Sequence, residues 1–284
     1  MKVPKRIQPL VEDGLVDEVL SRLMSGKEAD IFVVRCGNEI RCAKVYKEAA
    51  QRSFKKAAQY TEGRKVRNSR RARAMEKGSK FGRKEQEKIW QNAEVDALYL
   101  LAEADVRVPE PYGCFDGVLL MELITDAEGG VAPRLGDISM TEEEAIHNFA
   151  IIMQDVVRML CVGVVHGDLS EFNVLLDDYG PVIIDLPQAV NASANNNAQA
   201  MLSRDVENMI QYFSQFDPYL KGSKFAKEIW KLYEDGDLKP DTVLTGEFEE
   251  DTEVADVDGV MVEIQAAFEE EQKRLERIKE REAE

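Results

Sequence analysis

The stretch from Thr141 to Asp185 constrains the fold more than any other part of this sequence. Apolar positions recur at helical spacing over 141–162. Thr141, with Glu144 three residues later, has the form of a capping box, so a long amphipathic helix is expected to start there. His166-Gly167-Asp168-Leu169-Ser170-Glu171-Phe172-Asn173 then reads as a polar loop. Val174–Leu176 and Val182–Ile184 read as short strands around an Asp177-Asp178-Tyr179-Gly180 turn. Helix, loop and tight hairpin together hold Asp168, Asn173 and Asp185 at fixed spacing.

The remaining segments divide the chain. Residues 8–24 read as one or two short helices, and Ser25–Asp30 as a turn. Ile31–Arg35 and Ile40–Tyr46 read as strands joined by Gly37-Asn38, a hairpin signal. Residues 85–104 have helical period, Val108-Pro109-Glu110-Pro111 breaks the chain, and Val118–Ile124 reads as a buried strand. Residues 203–216 and 223–234 read as further helices, and 261–282 as a charged helix with thin apolar spacing. Hairpins come first and helices later, which suggests two lobes meeting near residue 125. The expected division is an N-terminal helical segment 1–24, a β-rich lobe 25–124 containing a basic loop 52–84, a helical lobe 125–240 and an acidic, partly helical tail 241–284.

Composition limits the function classes. With 44% hydrophobic residues in 284, the chain has material for a core and is not wholly disordered. No run approaches the roughly 18 apolar residues that span a bilayer. The basic start Met1–Arg6 is followed by no apolar signal-like stretch, so a cytoplasmic protein without membrane partners is expected. Four cysteines without a C-x-x-C read as reduced, mostly buried thiols, and two histidines are a poor basis for a zinc site. The net charge of −17 is uneven: residues 52–84 carry 13 Lys and Arg against two acids. That island is either a solvated loop or an anion-binding surface for RNA phosphates or an acidic partner.

An Asp followed five positions later by an Asn, in a loop after a long helix, is the catalytic-loop pattern of kinases. Asp168 would face a substrate hydroxyl as acceptor, and Asn173 would turn back to a metal on the ATP phosphates. Asp185, after two isoleucines at a strand end, suits Mg²⁺ between phosphates. Lys44, on a strand with small and apolar neighbours, sits where the V-A-I-K lysine pairs the phosphates. Glu94, on the following helix, is its natural partner. Asp205 reads either as a buried acid bracing the catalytic loop or as an acid at a helix N-terminus.

Taken together these segments resemble the atypical RIO protein kinases, type-one branch, in a bacterial-like variant. The residues that carry the likeness are S-G-K-E-A-D at 25–30, A-K-V-Y at 43–46, R-S-F-K at 52–55, V-P-x-P-Y at 108–112 and L-L-M-E-L-I at 119–124, then H-G-D-L-S-E-F-N at 166–173, I-D-L-P-Q-A-V at 184–190 and R-D-V-x-N at 204–208. The resemblance implies an α+β, two-lobed protein-kinase-like fold, trimmed of the activation loop and peptide-docking subdomains. It implies that Ser25, Lys27 and backbone N–H groups contact phosphate, and that Met121, Glu122 and Ile124 hold adenine. It implies Asp168 as acceptor, with Asn173 and Asp185 binding Mg²⁺ or Mn²⁺. The activity implied is ATP-dependent serine/threonine phosphorylation, including autophosphorylation, with Ser53 as the target. The alternatives are an ATPase switch on ribosomal particles that passes through an aspartyl-phosphate at Asp185, and a small-molecule phosphotransferase.

Overall fold

The computed structural model describes residues 2–26, 28–47 and 93–249. Lys27, the basic segment 52–84 with Ser53, and residues 250–284 lie outside these. The chain divides into Met1–Glu247 and Phe248–Glu284, and every element below belongs to the first unit.

Five antiparallel strands form the first half: β1 (Glu18–Ser25), β2 (Ala29–Cys36), β3 (Glu39–Tyr46), β4 (Pro111–Phe115) and β5 (Val118–Glu122), in the order β1-β2-β3-β5-β4. A short helix α1 (Gln8–Glu12) precedes them. A second helix, α2, covers residues 93–103. Alternation along the strands sorts the side chains. Ala43 and Val45 of β3, with Val118 and Leu120 of β5, face the cluster formed with Ile7 and Leu10. Tyr46 and Leu119 face the other way, towards Ala97, Leu98 and Leu101 of α2. Lys44 alternates with Ala43 and Val45, so the same pleat turns its ammonium towards α2.

Two expectations need correction here. Of the one or two short helices expected over 8–24, one forms and stops at Glu12, and residues from Glu18 to Ser25 are strand β1. Its apolar residues are spaced like a helix, but β1 is an edge strand in which Val19 alone is buried. Breaks in its register between Val19 and Ser21 and between Arg22 and Met24 also spoil strict alternation. The Pro-rich break at 108–111 also begins a strand. β4 starts at Pro111, and as an edge strand it tolerates the missing N–H donor there.

The second half is helical. It contains α3 (Glu142–Cys161), α4 (Ala198–Phe213) and α5 (Phe225–Asp235). Two small antiparallel pairs accompany them: β6 (Val164–Val165) with β9 (Val190–Asn191), and β7 (Val174–Asp177) with β8 (Gly180–Ile183). The capping box of α3 is formed: Thr141 N–H donates to Glu144 at 2.8 Å, and Glu144 N–H donates to Thr141 Oγ1 at 3.3 Å. Ile152, Met153, Val156, Val157 and Leu160 of α3 join Met201, Leu202, Val206 and Met209 of α4 and Ile229 of α5 in one core. Phe149 meets Phe213 and Phe225 edge-on, with ring centroids 5.5 and 5.3 Å apart. Of the four free thiols only Cys42 is buried, and Cys114 is exposed, so the expectation of mostly buried thiols does not hold. Among the described residues no helix is long and apolar enough to cross a membrane.

Candidate active site

The site opens where the sheet meets the loop after α3. Lys44, on β3, is the hub. Its Nζ lies 2.5 Å from Glu94 Oε1 and 2.6 Å from Asp185 Oδ1. The Glu94 carboxylate is 2% exposed, and its other oxygen accepts the Tyr46 hydroxyl. Burial alone would favour neutral Lys44, but Asp185 and Glu94 outweigh it and raise the ammonium above its ordinary range. Asp185 shifts the opposite way. The Lys44 charge holds its carboxyl below the usual carboxylate range, against the effect of burial. Asp185 also takes φ 67, the left-handed region that Asp enters more readily than most residues. That turn brings the carboxylate back from the end of β8 towards Lys44.

Asp168 stands across the mouth. Gln188 Nε2 donates to its Oδ2 at 2.7 Å. Partial desolvation pushes the Asp168 carboxyl up, while His166, Arg204 and the Gln188 bond oppose the rise. Asn173 Nδ2 donates to the Asp168 carbonyl at 2.8 Å, which keeps the loop closed and leaves the Asn173 amide oxygen unused by that bond. His166 locks the loop's base. Asp168 N–H donates to its Nδ1 at 3.2 Å, and its Nε2 lies 3.1 Å from the Ile184 carbonyl.

Asp205 is the brace and not a helix N-terminal acid: α4 begins at Ala198, well before it. Its two oxygens accept Gly167 N–H at 2.7 Å and Leu169 N–H at 3.0 Å. Asn208 Nδ2 donates to the Leu169 carbonyl at 2.9 Å, and the Arg204 guanidinium donates to the Gly167 carbonyl. The R-D-V-x-N run therefore grips both sides of the loop with residues one helical turn apart. Gly167 has φ 81, which glycine adopts without steric cost.

The remaining expected residues are placed as follows. Ser25 ends β1, and Lys27 lies outside the described residues. Met121 and Glu122 end β5; Glu122 N–H donates to the Glu110 carbonyl at 2.8 Å, and Ile124 is buried just beyond. The structure brings Lys44, Glu94, Asp185, Asp168 and Asn173 into one connected set. Sequence reasoning passed over Gln188, Tyr46 and Lys47. Tyr46 had a signal: it lies two residues from Lys44, on the same face of β3. Lys47 had none, because its role is spatial. Its Nζ is 3.2 Å from Ser25 Oγ and 2.5 Å from the Gly26 carbonyl, and so ties down the turn after β1.

Among the described residues no three His, Cys, Asp or Glu side chains group as a metal cage. A divalent cation carried on phosphates needs fewer protein ligands. The Asp185 carboxylate and the Asn173 amide oxygen are hard oxygen donors of the kind Mg²⁺ or Mn²⁺ takes, so these residues fit such an ion.

Comparison with known proteins identifies the family. The profile of the RIO domain matches residues 30–225. The RIO-type serine/threonine-protein kinase Rio1 of Haloferax volcanii is 31% identical over 209 residues, 73% of this chain and 67% of that protein. Serine/threonine-protein kinase RIO1 of Homo sapiens is 30% identical over 202 residues, 70% of this chain but 34% of that protein. Among solved structures, the Rio2 kinase of Chaetomium thermophilum in complex with ADP, Mg²⁺ and phosphoaspartate superposes with a TM-score of 0.57 at 22% identity. That superposition covers 80% of this chain and 64% of the Rio2 chain, and it bears on the fold alone. The two-lobed α+β fold, the braced loop and the profile match converge: this chain belongs to the RIO family of atypical protein kinases.

Proposed function

We propose that this chain transfers the γ-phosphoryl group of ATP to serine or threonine hydroxyls of a protein, its own included. The observation that carries the reading is Lys44 held at once by Glu94 and Asp185. An ammonium fixed between a buried carboxylate and a half-exposed one is pre-aimed at phosphate oxygens.

The adenine would lie against Met121, with the backbone of Glu122 and Ile124 as its hydrogen-bonding edge. Ser25, Lys27 and the turn held by Lys47 would cover the phosphates, and Lys44 would orient the α- and β-phosphates. Asn173 and Asp185 would hold Mg²⁺ or Mn²⁺, which supplies charge neutralisation on the phosphates. Asp168 accepts the hydroxyl proton as the acceptor oxygen bonds to the γ-phosphorus. The bond from that phosphorus to the β–γ bridging oxygen breaks, and ADP leaves. The reading includes the lobe division 25–124 and 125–240, with 241–284 as a tail. It also includes Ser53 as the autophosphorylation site and segment 52–84 as the surface for ribosomal RNA or a ribosomal subunit.

A second reading is an ATPase switch that forms an aspartyl-phosphate at Asp185. The observation favouring it is that Asp185 is kept ionised by Lys44 while its side chain remains 48% exposed. A small-molecule phosphotransferase stands third.

The test is an initial-rate assay with ATP, a titration of Mg²⁺ and Mn²⁺, and three acceptors: none, a Ser/Thr peptide set, and an aminoglycoside or choline. Label on protein or peptide hydroxyls, abolished by EDTA, supports the first reading. Label only on the small molecule overturns it.

A further inference from the structure

Away from the nucleotide site, a cleft of about 240 Å³ lies between the start of α3, the turn of the β7–β8 hairpin and residues 138–140. Ile138, Met140, Leu176 and Tyr179 supply its apolar walls. Tyr179 is 85% exposed, so most of its apolar surface is open to a partner. Asn148 lines the cleft from α3 and is 6% exposed. Its amide takes part in none of the side-chain hydrogen bonds among the described residues. None of its amide atoms is among the buried unpartnered polar atoms, so the amide reaches solvent, and this donor and acceptor pair is available to whatever fills the cleft.

The cleft and its flanks are acidic. Asp178 in the hairpin turn lines the cleft, and Glu142 and Glu143 in the first turn of α3 and Asp137 before it are exposed acids on the flanking chain, outside the lining. None of these four forms an ion pair with a described residue. Bonds from the Thr141 backbone N–H and hydroxyl keep the Glu144 carboxyl below the usual range, so it too is charged. Asp177 is the exception, matched by Arg107 at 3.1 and 2.7 Å. Among the described residues no Lys or Arg lines the cleft.

We propose that this cleft is a docking site for a short Lys/Arg-rich segment of a partner protein. An apolar side chain of that segment seats between Leu176 and Tyr179, its backbone pairs with the Asn148 amide, and its basic residues meet the carboxylate rim. The hairpin links the cleft to the phosphoryl site. Its turn lines the cleft, and its strands lead back to Asn173 and Asp185. A four-residue strand spans about 13 Å, so the hairpin runs about that far from the cleft to the residue after Asn173. Binding here does not require phosphotransfer, so this inference and the kinase reading fail separately.

The experiment is an anisotropy titration of the full chain into a short fluorescein-labelled peptide with Lys and Arg flanking a Leu-Val pair. A Glu-flanked peptide serves as control, and thermal melts check that each variant is folded. Saturable, salt-sensitive binding of the basic peptide alone is expected. Tyr179→Ala, and separately Glu143→Lys with Asp178→Lys, should each weaken it by about tenfold or more. Equal binding of the acidic peptide, or no saturable binding, would overturn the proposal, as would indifference to both exposed-residue variants. Binding that emerges only when residues 52–84 are deleted would make the chain's own basic segment the occupant and also overturn it. So would self-association through this face, read by light scattering and lost in the same variants.

Discussion

Gln188 donates a hydrogen bond from its side-chain amide to Asp168 Oδ2 at 2.7 Å. The bond favours the charged carboxylate, the form a proton acceptor must take, and it opposes the upward push of desolvation. Gln188→Leu should therefore raise the Asp168 pKa further. The acidic limb of the kcat/KM profile should move to higher pH, with most activity recovered on the alkaline side. A uniform loss at every pH would mean that Gln188 only shapes the loop.

Lys44 and Glu94 separate stability from activity. Both side chains are nearly buried, at 8% and 2% exposure. Lys44→Met strands the Glu94 carboxylate with the Tyr46 hydroxyl as its remaining described partner, and should cost roughly 3–5 kcal/mol in urea unfolding. The double variant Lys44→Met/Glu94→Gln should regain most of that stability and stay inactive. A double variant as unstable as the single one would show that the pair is not what the charge burial depends on.

Stability should fall across the weakly acidic range. Desolvation raises Asp155 and Asp205 from 3.8 to about 6, against the opposing Arg158 and His166 contributions respectively. The folded chain thus holds protons that the unfolded chain has released, so this stability is present below 3.8 and lost as pH rises through about 6. Among the described residues Asp155 Oδ2 has no hydrogen-bond partner. Asp155→Asn should flatten the slope and raise stability at neutral pH by about 1–3 kcal/mol. Thermal melts between pH 4 and pH 7, a range of about three units set by those pKa values, check it. An unchanged slope contradicts the assignment.

Asp205→Asn should behave differently. The amide offers one acceptor oxygen where Gly167 and Leu169 need two. Turnover should fall by about tenfold or more as the Asp168 loop loosens, since misplacement of a positioned group is costly, while ATP affinity changes little. Unchanged turnover would mean that Arg204 and Asn208 hold the loop unaided.

Much of this arrangement could be read from the chain because its signals are local. The capping box at Thr141, the hairpin at Gly37-Asn38 and the Asp168-x4-Asn173 spacing each lie within a few residues. What escaped was set by long-range pairing. β1 carries apolar residues at helical spacing, and only pairing with β2 makes it a strand. Pro111 reads as a breaker until β4 is seen to lie at the sheet edge. Asp205 could be weighed two ways because the start of α4 at Ala198, in a run of Asn and Ala, has no side-chain cap to mark it. The contacts of Lys47 with the turn after β1 have no sequence period at all.

The central claim is that Asp168 takes a proton from a serine or threonine hydroxyl during transfer from ATP. Incubating the full chain and its Asp168→Asn variant with radiolabelled ATP and Mg²⁺, followed by phosphosite mapping and chemical-stability tests of the label, addresses it directly. The account predicts acid-stable phosphoserine or phosphothreonine in the native chain, and a loss of about 10²–10⁴-fold in the variant with nucleotide binding retained. Label confined to a hydroxylamine-sensitive acyl phosphate at Asp185, or labelling undiminished in the variant, would contradict it.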